Sequence, residues 1–491
     1  MRDGQNKSES NLMTDTRKTL DVDVAVIGAG SGGLSVASGS AQLDLKVVLF
    51  ERGEMGGDCL NTGCVPSKAL IHTAKHAQAM RENAKFGIAA AEPQIDWQAV
   101  KSHIHGVIEQ IAPIDSQERF EGLGCTVIRE HARFEDEKTL VSDSVRVTAR
   151  RIVIAAGSRA LVPPISGLAD APYLTNETLF EIDALPEHLI ILGGGPIGME
   201  MAQAFTRLGS KVSVIEMSKA FGKADPEHAD LARRKLISEG VELLEGYKAE
   251  KVDHTNGTIR VTASSDQGET AVEGTHLLVA LGRTPNLDGL DLEKGNVETN
   301  KQGIVTKDNL KSVSNSRVWA VGDIAGRGQF THLAGWHASI FTQAALMKLP
   351  AKANPNPLPA VTYVQPELAQ IGMTEAEARD AHGDKVEVAQ FAFEENDRAI
   401  AERETSGSVK IFTKGGGKLL GASVYGEGAG DIAQIIAYAI ANGQKLRSLT
   451  SHISPYPTRA EAVKRAASSH FQSTVFGKPM RTAVSILQRI P

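Results

Sequence analysis

An α/β fold with two Rossmann-like dinucleotide-binding domains is predicted by three observations. These are a glycine-rich strand–turn–helix near the N-terminus, a second copy starting near residue 188, and several short apolar strands that break at glycine. The first unit reads DVDVAVIGAGSGGLSVASGSAQLDLKVVLFE. VDVAVIG is an apolar run of the kind that forms a buried parallel strand. Gly28, Gly30 and Gly33 follow as G-x-G-x-x-G, a small-residue helix runs to about Gln42, and a second strand, KVVLF, ends at Glu51. Glycines at these spacings permit a tight turn, close approach of backbone to a pyrophosphate, and close packing of helix on strand. The helix N-terminus turns its positive dipole end to the phosphates. Glu51 falls about 20 residues past the motif, where a carboxylate takes the ribose hydroxyls.

HLIILGGGPIGMEMAQAFTRLGSKVSVIE repeats every part: strand, Gly193, Gly195 and Gly198, helix, strand and Glu216. Two such units imply two dinucleotides, or one binding module beside a copy kept only as a packed βαβ unit. RIVIAAGS (151–158) and HLLVALGR (276–283) are buried strands breaking at glycine, and WAVGDIAG (319–326) presents Asp323 just past a strand end. A carboxylate there suits a flavin's ribityl chain, a role compatible with capping a helix.

The 491 residues exceed one hydrophobic core and suggest roughly three domains. A net charge of −6 gives no global attraction to nucleic acid or anionic lipid, so no nucleic-acid partner is expected. Three cysteines cannot form a secreted disulfide framework, which points to a reducing compartment. The first 19 residues read as a disordered polar lead-in without the apolar core of a signal peptide, and no apolar run approaches a bilayer span. The expected location is cytoplasmic.

Two of the cysteines lie in GGDCLNTGCVPSKAL (56–70). A metal site at Cys59 and Cys64 would need further soft ligands, and none is near; His72 and His76 have i, i+4 spacing but no third ligand, so a solvated helix face is preferred. A structural disulfide fits a reducing compartment poorly. Residues five apart on a regular helix are separated by ~7.5 Å along its axis, beyond disulfide reach, so the segment must be irregular. Gly63 and Pro66 favour such a break, and Pro66 suits the first turn of the helix that follows. Cys64 would then sit at a helix N-terminus, where the dipole lowers a thiol pKa. These features describe a redox pair. Cys125, in GLGCTVIREHARF, reads as a buried inert thiol.

G-G-x-C-L-N-x-G-C-x-P-S-K, both glycine units, A-L-G-R and V-G-D together resemble the class I pyridine nucleotide–disulfide oxidoreductase family, over residues ~20 to 470. That family includes dihydrolipoamide dehydrogenase, glutathione reductase and mercuric reductase. The resemblance implies a homodimeric flavoenzyme with FAD, a nicotinamide dinucleotide and a C-terminal α+β interface (dimerisation) domain. It places the FAD-binding domain at 20–160, the NAD(P)-binding domain at 161–285, the second FAD/central part at 286–350, the dimerisation domain at 358–470 and a tail at 471–491. The proline-rich stretch 349–361 fits the linker into the interface domain. By matching position, Cys59 resembles the interchange thiol that meets the acceptor, and Cys64 the thiol beside the flavin that forms the charge-transfer complex. Lys68 and Glu200 resemble the ion pair beside the flavin N5. Ala132, Gly157 and Ser158 match backbone contacts to FAD, and Gly282 one near the nicotinamide. Glu216 ends its strand where an acid pairs with a ribose 2′-OH and repels a 2′-phosphate, so NAD is expected rather than NADP.

Two departures bear on the acceptor. The lipoamide and glutathione enzymes place His-Pro-x-x-x-Glu near the C-terminus, the histidine acting as acid/base and the glutamate orienting it. Here SHISPYPTRAEAVKRAA has Pro457, Thr458 and Glu461 in place, but Tyr456 stands where the histidine would. A phenol with pKa ≈ 10 is a poor proton acceptor at neutral pH. Tyrosine there resembles mercuric reductase, yet no cysteine follows Cys125 to make that enzyme's C-terminal pair. Pro196 occupies the position of a tyrosine or valine gate over the nicotinamide pocket in several relatives. The expected function is electron transfer from NADH through FAD and Cys59–Cys64 to a disulfide, metal-ion or quinone-like acceptor. The alternatives are a dihydrolipoyl dehydrogenase that tolerates Tyr456, and a redox-sensing flavoprotein without turnover. The last stretch, SSHFQSTVFGKPMRTAVSILQRIP, mixes Lys478, Arg481 and Arg489 with apolar residues and has no acid. It reads as a short interfacial helix at a membrane or, the preferred expectation, as packing against the dimer.

Overall fold

The computed structural model describes residues 17–354 and 357–490. They form two compact units, the first built from residues up to Gly57, Ala112–Ser158 and Pro285–Ala353, the second from Asp58–Ile111, Arg159–Thr284 and residues from Asn354 onward. The lead-in lies outside the described residues as far as position 16, and the chain is already in strand at Lys18.

In the first unit the strand order is Cys125–Ile128, Val47–Phe50, Lys18–Ile27, Val145–Ile154, Thr139–Val141, Arg133–Asp136, with Val318–Ala320 also paired to Val145–Ile154. The register sets Ile27 beside Phe50 and Ile154, Phe50 beside Ile128, and Ala320 beside Ile154. Parallel strands thus end together, and the residues just past them (Gly28, Glu51, residues 129–132, Ala155 and Val321) gather at one edge, where open α/β sheets bind ligands. Val24, Ala25, Val26, Val48, Leu49 and Ile152 are almost wholly buried, as strands covered on both faces require. The helix Ser31–Ala41 is rich in glycine and serine, poor helix formers, and is held by packing. A Cβ on Gly32 would lie 2.8 Å from Val321 Cγ1.

The second unit carries a parallel sheet in the order Glu242–Glu245, Lys211–Glu216, His188–Leu192, His276–Val279, Tyr173–Leu174, and an antiparallel meander over Lys248–Gly274. It also carries a five-stranded antiparallel sheet, Pro359–Thr362, Glu367–Gly372, Lys418–Gly426, Ser408–Lys414, Val386–Ala392, against which the helices Ala429–Ala441 and Glu461–Val475 pack. A buried polar cluster joins the helix Pro226–Ser238 to this sheet. His228 lies between the Ser408 and Ser423 hydroxyls at 2.8 Å each, and Lys410 bonds Asp225 at 3.0 Å. Residues 58–111, expected within a 20–160 domain, pack in this second unit. The helix Cys64–Glu82 lays Ala69, Leu70, Ala74 and Ala77 into the same core as Met199, Ala202 and Phe205 of the helix Pro196–Leu208. Among the described residues the last buried one is Ala467, and the helix Lys478–Leu487 buries none of its residues.

Candidate functional site

Both glycine loops are built in the same way. Gly28 has φ +102°, and a Cβ there would lie 2.5 Å from the Ala155 carbonyl oxygen; at Gly193, φ +110°, it would lie 2.4 Å from that of Ala280. A Cβ on Gly33 would fall 1.8 Å from Gly28 O, and one on Gly198 2.0 Å from Gly193 O, so helix and turn touch at a distance only glycine allows. Gly30 and Gly195 cap the helices Ser31–Ala41 and Pro196–Leu208; a Cβ on Gly195 would meet nothing within 4 Å, and one on Gly30 only Gly57 Cα at 3.9 Å. Such a cradle, with the first-turn N–H groups facing into it, fits a pyrophosphate.

The acids also match. Glu51 Oε2 accepts from Ala29 N–H at 2.7 Å and Oε1 from Gly53 N–H at 2.7 Å. Glu216 Oε2 accepts from Gly194 N–H at 2.7 Å and Oε1 from Ser218 N–H at 2.7 Å. Each carboxylate therefore ties its own glycine loop to the strand end, a task the spacing did not reveal. Both Glu51 oxygens and Glu216 Oε2 keep a second lone pair for a ribose hydroxyl, whereas Glu216 Oε1 also accepts from Ser218 Oγ at 2.9 Å. In register beside Glu216 stands Glu245, and Lys219 is drawn onto Glu245 at 3.1 Å.

Around the first loop a cleft is lined by Gly28, Glu51, Arg52, His131, Ala132 and Asn286, among others. Beyond it Ser158 Oγ donates to Asp323 Oδ2 at 2.6 Å, and Asn286 braces the turn by bonding Ala156 O and Gly157 O. Gly157 has φ +67° and nothing within 4 Å of a Cβ position. Asp323 opens a short 3₁₀ turn whose cap is Gly322, so the cap expected of the aspartate is supplied by its neighbour. In the second unit Gly282, φ +115°, has an equally open Cβ side, and its carbonyl accepts from Leu161 N–H at 2.9 Å.

The cysteine segment is broken as its residues demand. A single-turn helix, Gly57–Asn61, holds Cys59; the chain turns at Thr62 and Gly63; and Cys64 is the first residue of the helix Cys64–Glu82, with Pro66 in its first turn. A Cβ on Gly63 would lie 2.9 Å from Asp58 O. Asp58 fixes this turn. Its carboxylate accepts from Thr62 Oγ1 at 3.0 Å and Asn176 Nδ2 at 2.8 Å, and pairs with Arg283 at 3.3 Å. Cys59 is half-buried and Cys64 exposed. One turn on from Cys64, Lys68 Nζ meets Glu200 Oε2 at 2.8 Å. Glu200 is buried, and its Oε1 accepts from Tyr363 N–H at 2.9 Å. The Tyr363 ring lies 4.4 Å under the Lys68 ammonium, so one residue holds both partners.

Cys125 is buried on its strand, and burial pushes its thiol up to about 11. The His72 and His76 rings bond each other at 3.2 Å, and among the described residues no group of three or more His, Cys, Asp and Glu is placed to hold a metal. Tyr456 is 68% exposed and donates to Asp397 Oδ2 at 2.8 Å. That hydrogen bond and the negative charge of Asp397 hold the phenol above the usual tyrosine range. Glu461, expected as the orienting acid, instead bonds Arg465 at 2.9 Å, one helical turn on. His452 contributes its carbonyl to Lys464. Asn176, Tyr363 and Asp397 do not stand out in the sequence, whereas Arg283 closes the A-L-G-R motif and Asp58 lies beside Cys59.

Residues 22–338 match the family model described as pyridine nucleotide-disulphide oxidoreductase, and residues 358–467 match the dimerisation domain of the same family. The chain is 35% identical over 452 residues to a mercuric reductase of Streptomyces lividans, covering 91% of this chain and 95% of that protein. It is 32% identical over 463 residues to dihydrolipoyl dehydrogenase 3 of Haloarcula marismortui, covering 91% and 96%. Among solved structures, the HOCl-induced flavoprotein disulfide reductase RclA from Escherichia coli superposes with a TM-score of 0.81 at 25% identity, covering 91% of this chain and 99% of that one. No helix among the described residues is long and apolar enough to cross a membrane.

Proposed function

Because the chain belongs to the pyridine nucleotide-disulphide oxidoreductase family, whose members are FAD-dependent and use pyridine nucleotides, we propose that it passes electrons from NADH by way of FAD to the Cys59–Cys64 pair and on to an acceptor that needs no histidine base. A disulfide, a metal ion and a quinone-like oxidant fit that description. The observation that carries this reading is the broken cysteine segment, with Lys68–Glu200 on the next turn of the Cys64 helix.

Residues 20–160 with 286–350 would hold FAD through Gly28, Gly30, Gly33, Glu51, Ala132, Gly157, Ser158 and Asp323. Residues 161–285 would hold the nicotinamide dinucleotide through Gly193, Gly195, Gly198, Glu216 and Gly282, and residues 358–470 would form the interface of a homodimer. Bound flavin supplies the two-electron relay between nicotinamide and sulfur. Lys68 offers a fixed positive charge to an electron-rich ring, and Glu200 keeps that lysine from swinging into water. Cys64, in the first helical turn, is set where the dipole favours a sulfur anion, while Cys59 is left to meet the acceptor. NADH is favoured over NADPH because Glu216 ends its strand where a carboxylate repels a 2′-phosphate; Glu245 beside it is already paired with Lys219 and Arg233.

The second reading, a dihydrolipoyl dehydrogenase, is disfavoured by Tyr456. Its phenol is committed to Asp397 and holds its proton at neutral pH, so it cannot act as the exchange base.

The test is steady-state oxidation of NADH and NADPH, side by side, with disulfides, Hg(II), Cu(II), quinones and oxygen, repeated on Cys59→Ser. The proposal expects turnover with one acceptor class, preference for NADH, and loss of that turnover in Cys59→Ser. Turnover of dihydrolipoamide with NAD at ordinary flavoenzyme rates by the unaltered chain would favour the dehydrogenase. A gain of that activity only in Tyr456→His supports the present reading. No turnover with any acceptor, despite a reducible pair, would make the chain a redox sensor.

A further inference from the structure

We propose that the C-terminal segment, residues 472–490, is a docking surface for bilayers that carry anionic lipid. The packed fold ends at Phe471, half-buried against the core of the interface sheet, and the match to the dimerisation domain ends at 467. The segment beyond it is an appendage to the interface domain. Gln472–Phe476 and every residue from Lys478 to Ile490 are exposed, including Phe476 at 64% and Leu487 at 59%.

The appendage has a definite chemistry. After the turn at Gly477 the helix Lys478–Leu487 sets Met480, Val484 and Leu487 on one face, with Ala483 and, past the helix end, Ile490 continuing it. Lys478, Arg481, Ser485 and Arg489 fall on the opposite face. From Ala462 to the C-terminus the chain has five Lys and Arg and no Asp or Glu, although acids outnumber bases 59 to 53 overall. Among the described residues none of Lys478, Arg481 and Arg489 is in an ion pair. A short helix with one apolar face, an all-cationic polar face and no compensating acid lies in the plane of a bilayer interface, its cations at the level of anionic headgroups. A second copy of the chain is the other candidate occupant. It is disfavoured because the family's dimerisation domain is complete before the tail begins.

The experiment is co-sedimentation of the full-length holoenzyme with vesicles of phosphatidylcholine alone, or with about one-third phosphatidylglycerol, at low and high salt. The proposal expects pelleting with the mixed vesicles, little with phosphatidylcholine alone, and release by salt. Arg481→Gln with Arg489→Gln should lower the partition roughly 30-fold, about fivefold per cation. Val484→Glu with Leu487→Glu, and separately a chain ending at residue 477, should abolish binding while leaving NADH oxidation and the mass in solution unchanged. Absence of pelleting with either vesicle would overturn the proposal, as would equal pelleting of the double-glutamate variant. A fall to half the mass in that variant or in the shortened chain would also overturn it, and would assign the face to contact between copies.

Discussion

Asp58→Ala should make the Cys59–Cys64 disulfide easier to reduce. The carboxylate holds the turn between the two cysteines from three sides, through Thr62 Oγ1, Asn176 Nδ2 and Arg283. Asn176 is buried, and the Arg283 side chain is 13% exposed, so these partners are not well replaced by water; Asp58 itself is 40% exposed, which discounts the ion pair. Two hydrogen bonds at about 1 kcal/mol each, with a discounted charge contribution, give roughly 2–3 kcal/mol of local restraint. Released from it, the segment samples more conformations as a dithiol, and closing the sulfur–sulfur bond costs correspondingly more entropy. For a two-electron couple about 1.4 kcal/mol is 30 mV, so the midpoint should rise, becoming less negative, by about 40–65 mV.

The assay poises the holoenzyme in thiol–disulfide buffers and counts alkylated sulfur at positions 59 and 64 by mass spectrometry, with urea unfolding as a control. Asp58→Asn, which keeps the acceptor oxygen but loses the charge opposite Arg283, should fall between parent and Ala. A midpoint within about 10 mV of the parent, alongside a lowered urea midpoint, would refute the reasoning. The network would then support the fold and not the couple.

Two further outcomes rest on the same geometry. Glu200→Gln should cost about 1–3 kcal/mol in urea unfolding, because it leaves the Lys68 ammonium facing an amide while the lysine's partial exposure softens the loss; it should also slow reduction by NADH. A double-mutant cycle with Lys68→Gln should return a coupling of about 1 kcal/mol, and a coupling of zero would sever the pair. Burial pushes the His228 imidazole down to about 4, with Lys410 adding to the effect and Asp225 opposing it. The unfolded histidine takes up its proton first, so this contribution is complete above pH 6.5 and is lost as pH falls from 6.5 towards 4, up to about 3 kcal/mol. Urea unfolding at pH 7.5 and 4.5 should therefore show a larger acid loss in the parent than in His228→Asn; equal losses would disprove it.

Legibility in the sequence divides along a physical line. Gly28 and Gly193 are legible because a positive φ and a carbonyl 2.5 Å or less from where a Cβ would stand admit one residue type, so the backbone's requirement is written in the residues themselves. The break between Cys59 and Cys64 is legible for a similar reason: no regular helix brings them within bonding reach. Polar partnership leaves no such mark. Glu51 and Glu216 stand at the expected strand ends, yet nothing in a 20-residue spacing tells that each carboxylate first binds its own loop. Asn176 reaches Asp58 across 118 residues, and Asp397 meets Tyr456 across 59, by distances that only the assembled fold defines. The grouping of residues 58–111 with the second unit was hidden likewise, since a face of Ala69, Leu70, Ala74 and Ala77 would serve any neighbouring helix equally well. Tyr456 shows the consequence most sharply. Its identity argues against a dithiol substrate, and its bond to Asp397 reinforces that by holding the phenol in its protonated form.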